Sequence, residues 1–360
     1  MLQGIRIVEI EGLGPGPFAA MLLADLGADV IVIHRPQGSD VPGMGGDNLL
    51  DRGKRSIVLD MKSPADLATA RALIATADGL IEGFRPGVME RLGLGPDVCH
   101  AVRPQLVYGR MTGWGQTGPL AQTAGHDLNY IARSGALWYA SLPGQPPVTP
   151  PTLVGDIGGG AMYLAVGMLA GLIRARATGI GCVVDAAIVD GSAHMMALMM
   201  ALRASGGMVT PRGQSLLDGP HWSRSYATFD GGWMSVQCLE PKFYAIFLDR
   251  LGLTDDPLMA AQFDPAQWPG QTARLAAIFA AHPGAHWNRV FGGTDACVAP
   301  VLSPDQARLD PHVAARRIWH DTPLQPAAAP RFDGMEPARP APPPGRGADS
   351  AAIRAEIGHP

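Results

Sequence analysis

Charge and cysteine are what this 360-residue chain has little of. Charged residues make up 17% against 47% hydrophobic. That ratio excludes the composition of a disordered chain and implies a packed globule with a substantial core. The formal charge of −4 gives no overall attraction for nucleic acid or an anionic membrane, so neither is an expected partner. Any anion site has to come from local basic clusters. Four cysteines, Cys99, Cys182, Cys238 and Cys297, stand far apart with no CxxC or Cys/His spacing. This argues against a metal centre and for reduced, mostly structural thiols in a cytosolic, cytoplasmic protein. No basic-then-apolar leader is expected, because residues 3–10 read directly as a strand. The longest apolar run, residues 161–173, is too short to span a bilayer and reads as a buried helix. No internal repeat is visible.

What is present begins with a βαβ pattern. Residues 5–10 form a short apolar run, 12–17 a Gly/Pro loop, 18–26 a helical period and 30–33 a second apolar run. The loop resembles a dinucleotide fingerprint, but its third glycine position is Pro17. His34 and Arg35 stand where a ribose-binding carboxylate belongs. A cation there suits a phosphate. Further strands are expected at 57–59, 79–82 and 107–110, with a helix at 64–77 and a short one at 88–92. Basic residues are read as recurring just after strand ends: Arg35, Arg52, Lys54, Arg55, Lys62 and Arg85. Open α/β sheets bind ligands at the carboxyl ends of their strands, so the series suggests a polyphosphate subsite. Solvation of surface loops is the alternative for any single member.

The centre of the chain carries Gly125-His126-Asp127 and, about thirty positions on, Gly155-Asp156 ahead of Gly158, Gly159 and Gly160. An imidazole and a carboxylate, each on a glycine-flanked turn, can divide acid and base work at one substrate carbon. A structural histidine and an N-capping aspartate are the plainer alternatives. After Asp156 come an apolar segment to residue 173, a strand at 183–188 and a helix at 192–204. That helix carries Met195, Met196, Met199 and Met200. These methionines suit either an acyl-binding surface or helix packing. Residues 191–225 count as a linker, with Gly, Ser, Pro and Thr gathered around 206–220. A hairpin at 226–238 and helices at 241–251, 271–282 and 286–291 suggest a smaller α+β domain. Residues 323–344 are proline-rich and expected to be extended, and 350–357 a short helix.

Taken together, these blocks resemble the family III CoA-transferase superfamily (CaiB/BaiF) and, within it, the alpha-methylacyl-CoA racemases. The matching runs are EIEGLGPGP (9–17), DLGAD (25–29), RGKRSIVLDMK (52–62), FRPGVMERLGLG (84–95) and GWGQTGP (113–119). They continue with GHDLNY (125–130), LVGDIGGG (153–160), VDAAIVDG (184–191), LEPKFY (239–244) and APRF (329–332). GHD with LVGD is the part that is similar to racemases. The resemblance implies an α/β fold: a large doubly wound, Rossmann-like, CoA-binding domain from residues 1–190 with 323–360, and a small domain from 226–322. It implies a homodimer of interlocked, ring-like chains. It implies His126 and Asp156 as the catalytic pair, and Glu240 as the carboxylate that orients the histidine. Without the resemblance, Glu240 before Pro241 reads as a helix cap. Arg35, Lys62, Arg85 and Arg91 would hold the CoA phosphates and adenine end, Asp127 and Tyr130 would line that pocket, and the Asp127 N–H would donate to the thioester oxygen. The implied reaction is racemisation of a 2-methyl-branched acyl-CoA through an enolate, with no metal or redox cofactor, the substrate itself carrying coenzyme A. CoA transfer between carboxylic acids through an aspartyl-CoA at Asp156 is the rival. One run departs from the racemase pattern: Ser223-Arg224-Ser225-Tyr226 stands where Tyr-Asp-Thr-Tyr is usual.

Overall fold

The structure, a computed structural model, describes residues 1–38, 48–334 and 340–358. The chain divides into two compact units: Met1–Leu137, Thr149–Met195 and Arg317–Pro360 form the first, and Trp138–Val148 with Met196–Arg316 the second.

Unit 1 is built on a parallel sheet of β1 (Arg6–Ile10), β2 (Asp29–His34), β3 (Arg55–Val58), β4 (Gly79–Glu82), β5 (Val107–Thr112) and β6 (Cys182–Ala187). Their order across the described sheet is β3-β2-β1-β4-β5-β6, with every pairing parallel. This is the order of doubly wound α/β folds, which place ligands beyond the strands' carboxyl ends. The inner strands β2, β1, β4 and β5 are buried on both faces because both faces are covered. Ile7, Val30, Ile81 and Val107 pack with α1 (Pro15–Asp25) and the apolar helix α6 (Met162–Thr178). Val8, Ile31, Leu80 and Tyr108 point the other way, into a cluster with α2 (Pro64–Ala75) and Ile353 of the C-terminal helix Ser350–Glu356. Alternation along each strand thus assigns one residue to each layer in turn.

The helix expected at residues 161–173 is longer than its apolar core suggested. Leu153–Thr178 is helical throughout, 26 residues, and by length and composition alone it is able to cross a membrane. In unit 1 it is a core helix: Leu164, Ala165, Met168 and Leu172 are buried in the α1/α6 cluster. Its first part, Leu153–Ala161, is a π-helix, in which the Ile157 N–H reaches back to the Thr152 carbonyl at 3.0 Å and the Met162 N–H to Ile157. Between β4 and β5 lie α3 (Val88–Arg91) and α4 (Pro96–Val102), and α5 (Asp127–Ser134) follows β5.

Residues 191–225, expected as a linker, are shared between the units. α7 (Ile188–Met195) closes the middle segment of unit 1, and α8 (Ala197–Ala204) belongs to unit 2. The single helix expected at 192–204 is therefore two, and α8 has no buried residue. Unit 2 holds an antiparallel sheet of β7 (Ser223–Ala227), β8 (Trp233–Gln237) and β9 (Val298–Pro300). Its core joins Trp222, Tyr226 and Met234 to Phe247 of α9 (Pro241–Leu251), Phe279 of α10 (Trp268–Phe279), and Trp287 and Phe291 of α11 (Gly284–Phe291). The expected proline-rich extended segment opens inside a hairpin, β10 (Trp319–Asp321) with β11 (Leu324–Pro326). Residues 335–339 of that segment lie outside the described residues.

Candidate active site

Asp156 and Asp127 are joined directly. Asp127 is the first residue of α5 and is buried, and its Oδ1 accepts the Asp156 N–H at 2.8 Å. A side chain on residue 155 would fall on the Asp127 carboxylate and 2.9 Å from Ile131 Cγ2, so only glycine fits there. Asp156 sits inside the π-helix, not at its cap; Thr152, in the left-handed region at φ 61°, occupies that place. The wide turn packs tightly. A Cβ on Gly159 would stand 2.7 Å from the Ser192 nitrogen, and one on Gly160 2.9 Å from Ile188, both on α7. The triple glycine is thus a seat for a neighbouring helix. π-turns of this kind recur where a side chain must be aimed.

The Gly/Pro loop after β1 turns out to face the same carboxylate. Gly14, the N-cap residue of α1, has φ 65°, and a Cβ built there lies 3.6 Å from Asp156 Oδ2. Burial, reinforced by the like charge of Asp127, pushes the Asp156 carboxyl up to about 6 against the opposing pull of His126. A carboxyl at that level is poised to take or give a proton near neutrality.

His126 is the N-cap residue of α5, extended at φ −137°, with its side chain exposed. Asn129 Oδ1 accepts the His126 N–H at 3.0 Å, and the His126 carbonyl takes the Asn129 N–H at 2.8 Å. This reciprocal arrangement fixes where the imidazole leaves the chain. The Asp127 N–H lies in the first turn of α5, where backbone donors have no partner within the helix. Tyr130, buried one turn on, donates its hydroxyl to the Gly125 carbonyl and meets Trp114 edge-on at 4.7 Å. Gly113 and Gly125 lack side chains because the Tyr130 ring fills that space. Burial, followed by the charge of Asp156, raises the Tyr130 phenol, and Arg85 opposes the rise. Asp127 is thus bonded to Asp156, with the exposed His126 and the Tyr130 ring within electrostatic reach of the Asp156 carboxylate and Arg85 within reach of Tyr130.

The remaining expected CoA contacts also lie in unit 1. Arg35 follows β2 with an exposed side chain, and its N–H donates to Glu11 at 2.9 Å. Burial would raise the Glu11 carboxyl, but hydrogen bonds from His34, Arg346 and the Arg35 N–H together hold it at about 2. Lys62 is exposed beyond β3, and Arg91 is exposed at the end of α3. The series of basic residues needs correction at three positions. Arg52 is buried against Asp25 at 2.6 Å and bonds Gln325 and the Pro326 carbonyl. Lys54 is wholly buried between Glu9 at 2.6 Å and Asp51 at 3.2 Å. Arg55 opens β3 at its amino end, tied to Asp29 and Glu356. These three hold the fold together and are not phosphate ligands. Position in sequence near a strand end did not reveal which cations already had carboxylate partners within the fold.

Glu240 belongs to unit 2, where it is the exposed N-cap residue of α9, ahead of Pro241. Arg224 on β7 turns back to the carbonyls of Gly219 and Pro220, at 2.7 and 3.3 Å. Met195 and Met200 are partly exposed, and the Met195 thioether lies over Gly158 of the π-helix. Among the described residues, no group of three or more His, Cys, Asp or Glu is placed to hold a metal ion.

Residues 2–350 match the family described as CoA-transferase family III. The chain belongs to that family. Within family III it is 41% identical to the alpha-methylacyl-CoA racemase of Mus musculus, over 85% of this chain and 79% of the mouse protein. It is 42% identical to the alpha-methylacyl-CoA racemase of Homo sapiens, over 84% of this chain and 78% of the human one. Among solved structures, a CAIB/BAIF family protein from Brucella suis superposes with a TM-score of 0.83 at 26% identity, covering 98% of each chain. The α/β fold with its parallel sheet is thus that of family III.

Proposed function

We propose that this protein is an acyl-CoA racemase, inverting the carbon alpha to the thioester of 2-methyl-branched acyl-CoA substrates. The observation that carries the reading is the identity above 40% to two alpha-methylacyl-CoA racemases over most of the chain. The grouping of His126, Asp127 and Asp156 supports it. A thioester makes the alpha hydrogen more acidic, yet the enolate still requires preorganised donors. In this reading the Asp127 N–H donates to the thioester oxygen. One of His126 and Asp156 removes the alpha proton and the other delivers a proton to the opposite face. Neutral His126 serves one enantiomer and the Asp156 carboxylate the other. A proton is exchanged at carbon with no net change of oxidation state, so the reaction as proposed calls on no redox cofactor, and the Asp127 N–H takes the enolate-stabilising role that a metal ion would otherwise fill.

Arg35, Lys62, Arg85 and Arg91 are proposed to hold the phosphates of CoA, with Tyr130 lining the pocket. Unit 1 would then be the CoA-binding domain expected at 1–190 with 323–360, and unit 2 the small domain expected at 226–322. Assembly is proposed as a homodimer of interlocked chains in the cytoplasm, and Glu240 as the carboxylate that orients the imidazole in that assembly.

The test is incubation with a single enantiomer of a 2-methylacyl-CoA in D2O. Inversion with deuterium uptake at the alpha carbon, and no CoA moved to added succinate or oxalate, is the expected result. CoA transfer without alpha exchange would instead assign Asp156 to the nucleophilic chemistry of the family's transferases.

A further inference from the structure

One buried cation in unit 1 has no part in the proton transfer, and its contacts explain how a neighbouring turn is held. Arg110 lies on β5 and Glu82 ends β4 beside it, both almost fully buried. Arg110 Nε donates to Glu82 Oε1 at 3.0 Å, while its two terminal nitrogens reach Glu90 on α3 at 2.8 and 3.3 Å. Glu82 uses its other oxygen to accept the Phe84 N–H at 2.7 Å. The segment between these anchors is the Phe84-Arg85-Pro86-Gly87 turn, reversed at Gly87 with φ 84°. A third tie comes from Gln122, whose amide donates to the Pro86 carbonyl at 3.1 Å. Arg85, inside the clamped segment, and Arg91, directly after it, are both exposed.

We propose that Arg110 is a positioning residue for acyl-CoA: a single guanidinium that grips both ends of the 82–90 segment and so presents Arg85 and Arg91 as a preformed pair for the phosphates of coenzyme A. The proposal rests on the CoA-thioester reading above. Its physical basis is pre-organisation. A loop that is already ordered loses less entropy when the ligand arrives, so the benefit is in binding and not in the chemical step. The fork geometry matters, because Glu82 and Glu90 are met by different nitrogens of one planar group, whereas a lysine at this position would have to reach both from a single atom.

The experiment compares the wild-type protein with Arg110→Met and Arg110→Lys on two substrates of the same 2-methyl acid. One is the CoA thioester; the other is the N-acetylcysteamine thioester, which lacks every phosphate. For Arg110→Met, KM for the CoA thioester is expected to rise about tenfold or more with kcat within about twofold. Unesterified CoA, followed by titration calorimetry, should weaken in parallel, and kcat/KM for the short thioester should stay at the wild-type level. Arg110→Lys should recover little of the loss. Glu90→Gln, at an exposed partner, tests the same clamp if Arg110→Met does not fold, and should raise KM for the CoA thioester about threefold. An unchanged KM in the variants, or an equal loss on both thioesters, would overturn the inference while leaving the racemase reading in place. A wild-type protein that neither binds CoA nor turns over the thioester overturns both together.

Discussion

Replacing Asp156 by asparagine should make the protein more stable while removing its proposed activity. In the folded chain the carboxyl is raised from an ordinary 3.8 to about 6 by burial and by Asp127. Its charged form is therefore less favourable in the native state than in the unfolded one. At about 1.4 kcal/mol per pH unit, the rise corresponds to ~3 kcal/mol of destabilisation once both states are ionised. Partial exposure and solvent screening reduce this to ~1–2 kcal/mol. The sign follows from a raised carboxyl: the stability it contributes is complete below pH 3.8 and lost as pH rises through about 6. Asparagine keeps the shape without the charge, and the backbone N–H that Asp127 accepts is untouched. Thermal melts of the two proteins should coincide near pH 3.5, diverge as pH rises from 3.8 to about 6 and stay apart above that, the asparagine variant higher by roughly 1–3 °C. Equal melting temperatures at pH 7.5, or a gap that does not change with pH, would show that the carboxylate bears no such burden.

Three other perturbations follow from contacts described above. Lys54→Met leaves Glu9 buried without its ammonium partner at 2.6 Å and should cost ~3–5 kcal/mol in denaturant unfolding. Adding Glu9→Leu should restore much of that, and a single-variant loss under about 1 kcal/mol would contradict the assignment. Gly155→Ala forces a methyl group onto the Asp127 carboxylate; we expect ~1–3 kcal/mol of destabilisation and racemase activity reduced beyond what unfolding explains, and wild-type turnover would show that the Asp127–Asp156 bond is not needed. In the direction that uses Asp156 as base, kcat/KM should fall as pH drops through about 6, since only the carboxylate accepts the proton. A midpoint near 4 would place that group in water.

The sheet was readable because its inner strands are apolar on both faces and separated by Gly and Pro, a pattern that leaves little choice of register or layer. βαβ runs such as 5–33 have their boundaries within a few residues of β1, α1 and β2. The GHD and LVGD blocks pointed to His126 and Asp156; the bond the structure adds is that between Asp156 and the neighbouring Asp127, which neither block disclosed. What sequence did not disclose is the side-chain partner of each cation. Lys54 and Lys62 look alike in a string; one is enclosed by Glu9 and Asp51 and the other is exposed. Nor did residue order show that α7 and α8 part at Met196, because a helical period continues across the break while the two helices belong to different units. The π-helix escaped for a related reason. The density of glycine in LVGDIGGG signals close approach, but the count of residues per turn is set by what packs against them, here Ser192 and Ile188.

That count has an evolutionary edge. In a regular helix each residue turns the chain by about 100°, so losing a single residue between Asp156 and Met162 would swing Asp156 far around the axis while α6 stayed on the sheet. The aim of this carboxylate is then a property of segment length as much as of composition. Insertions and deletions, usually tolerated at loop ends, would here act like point mutations of the aspartate itself.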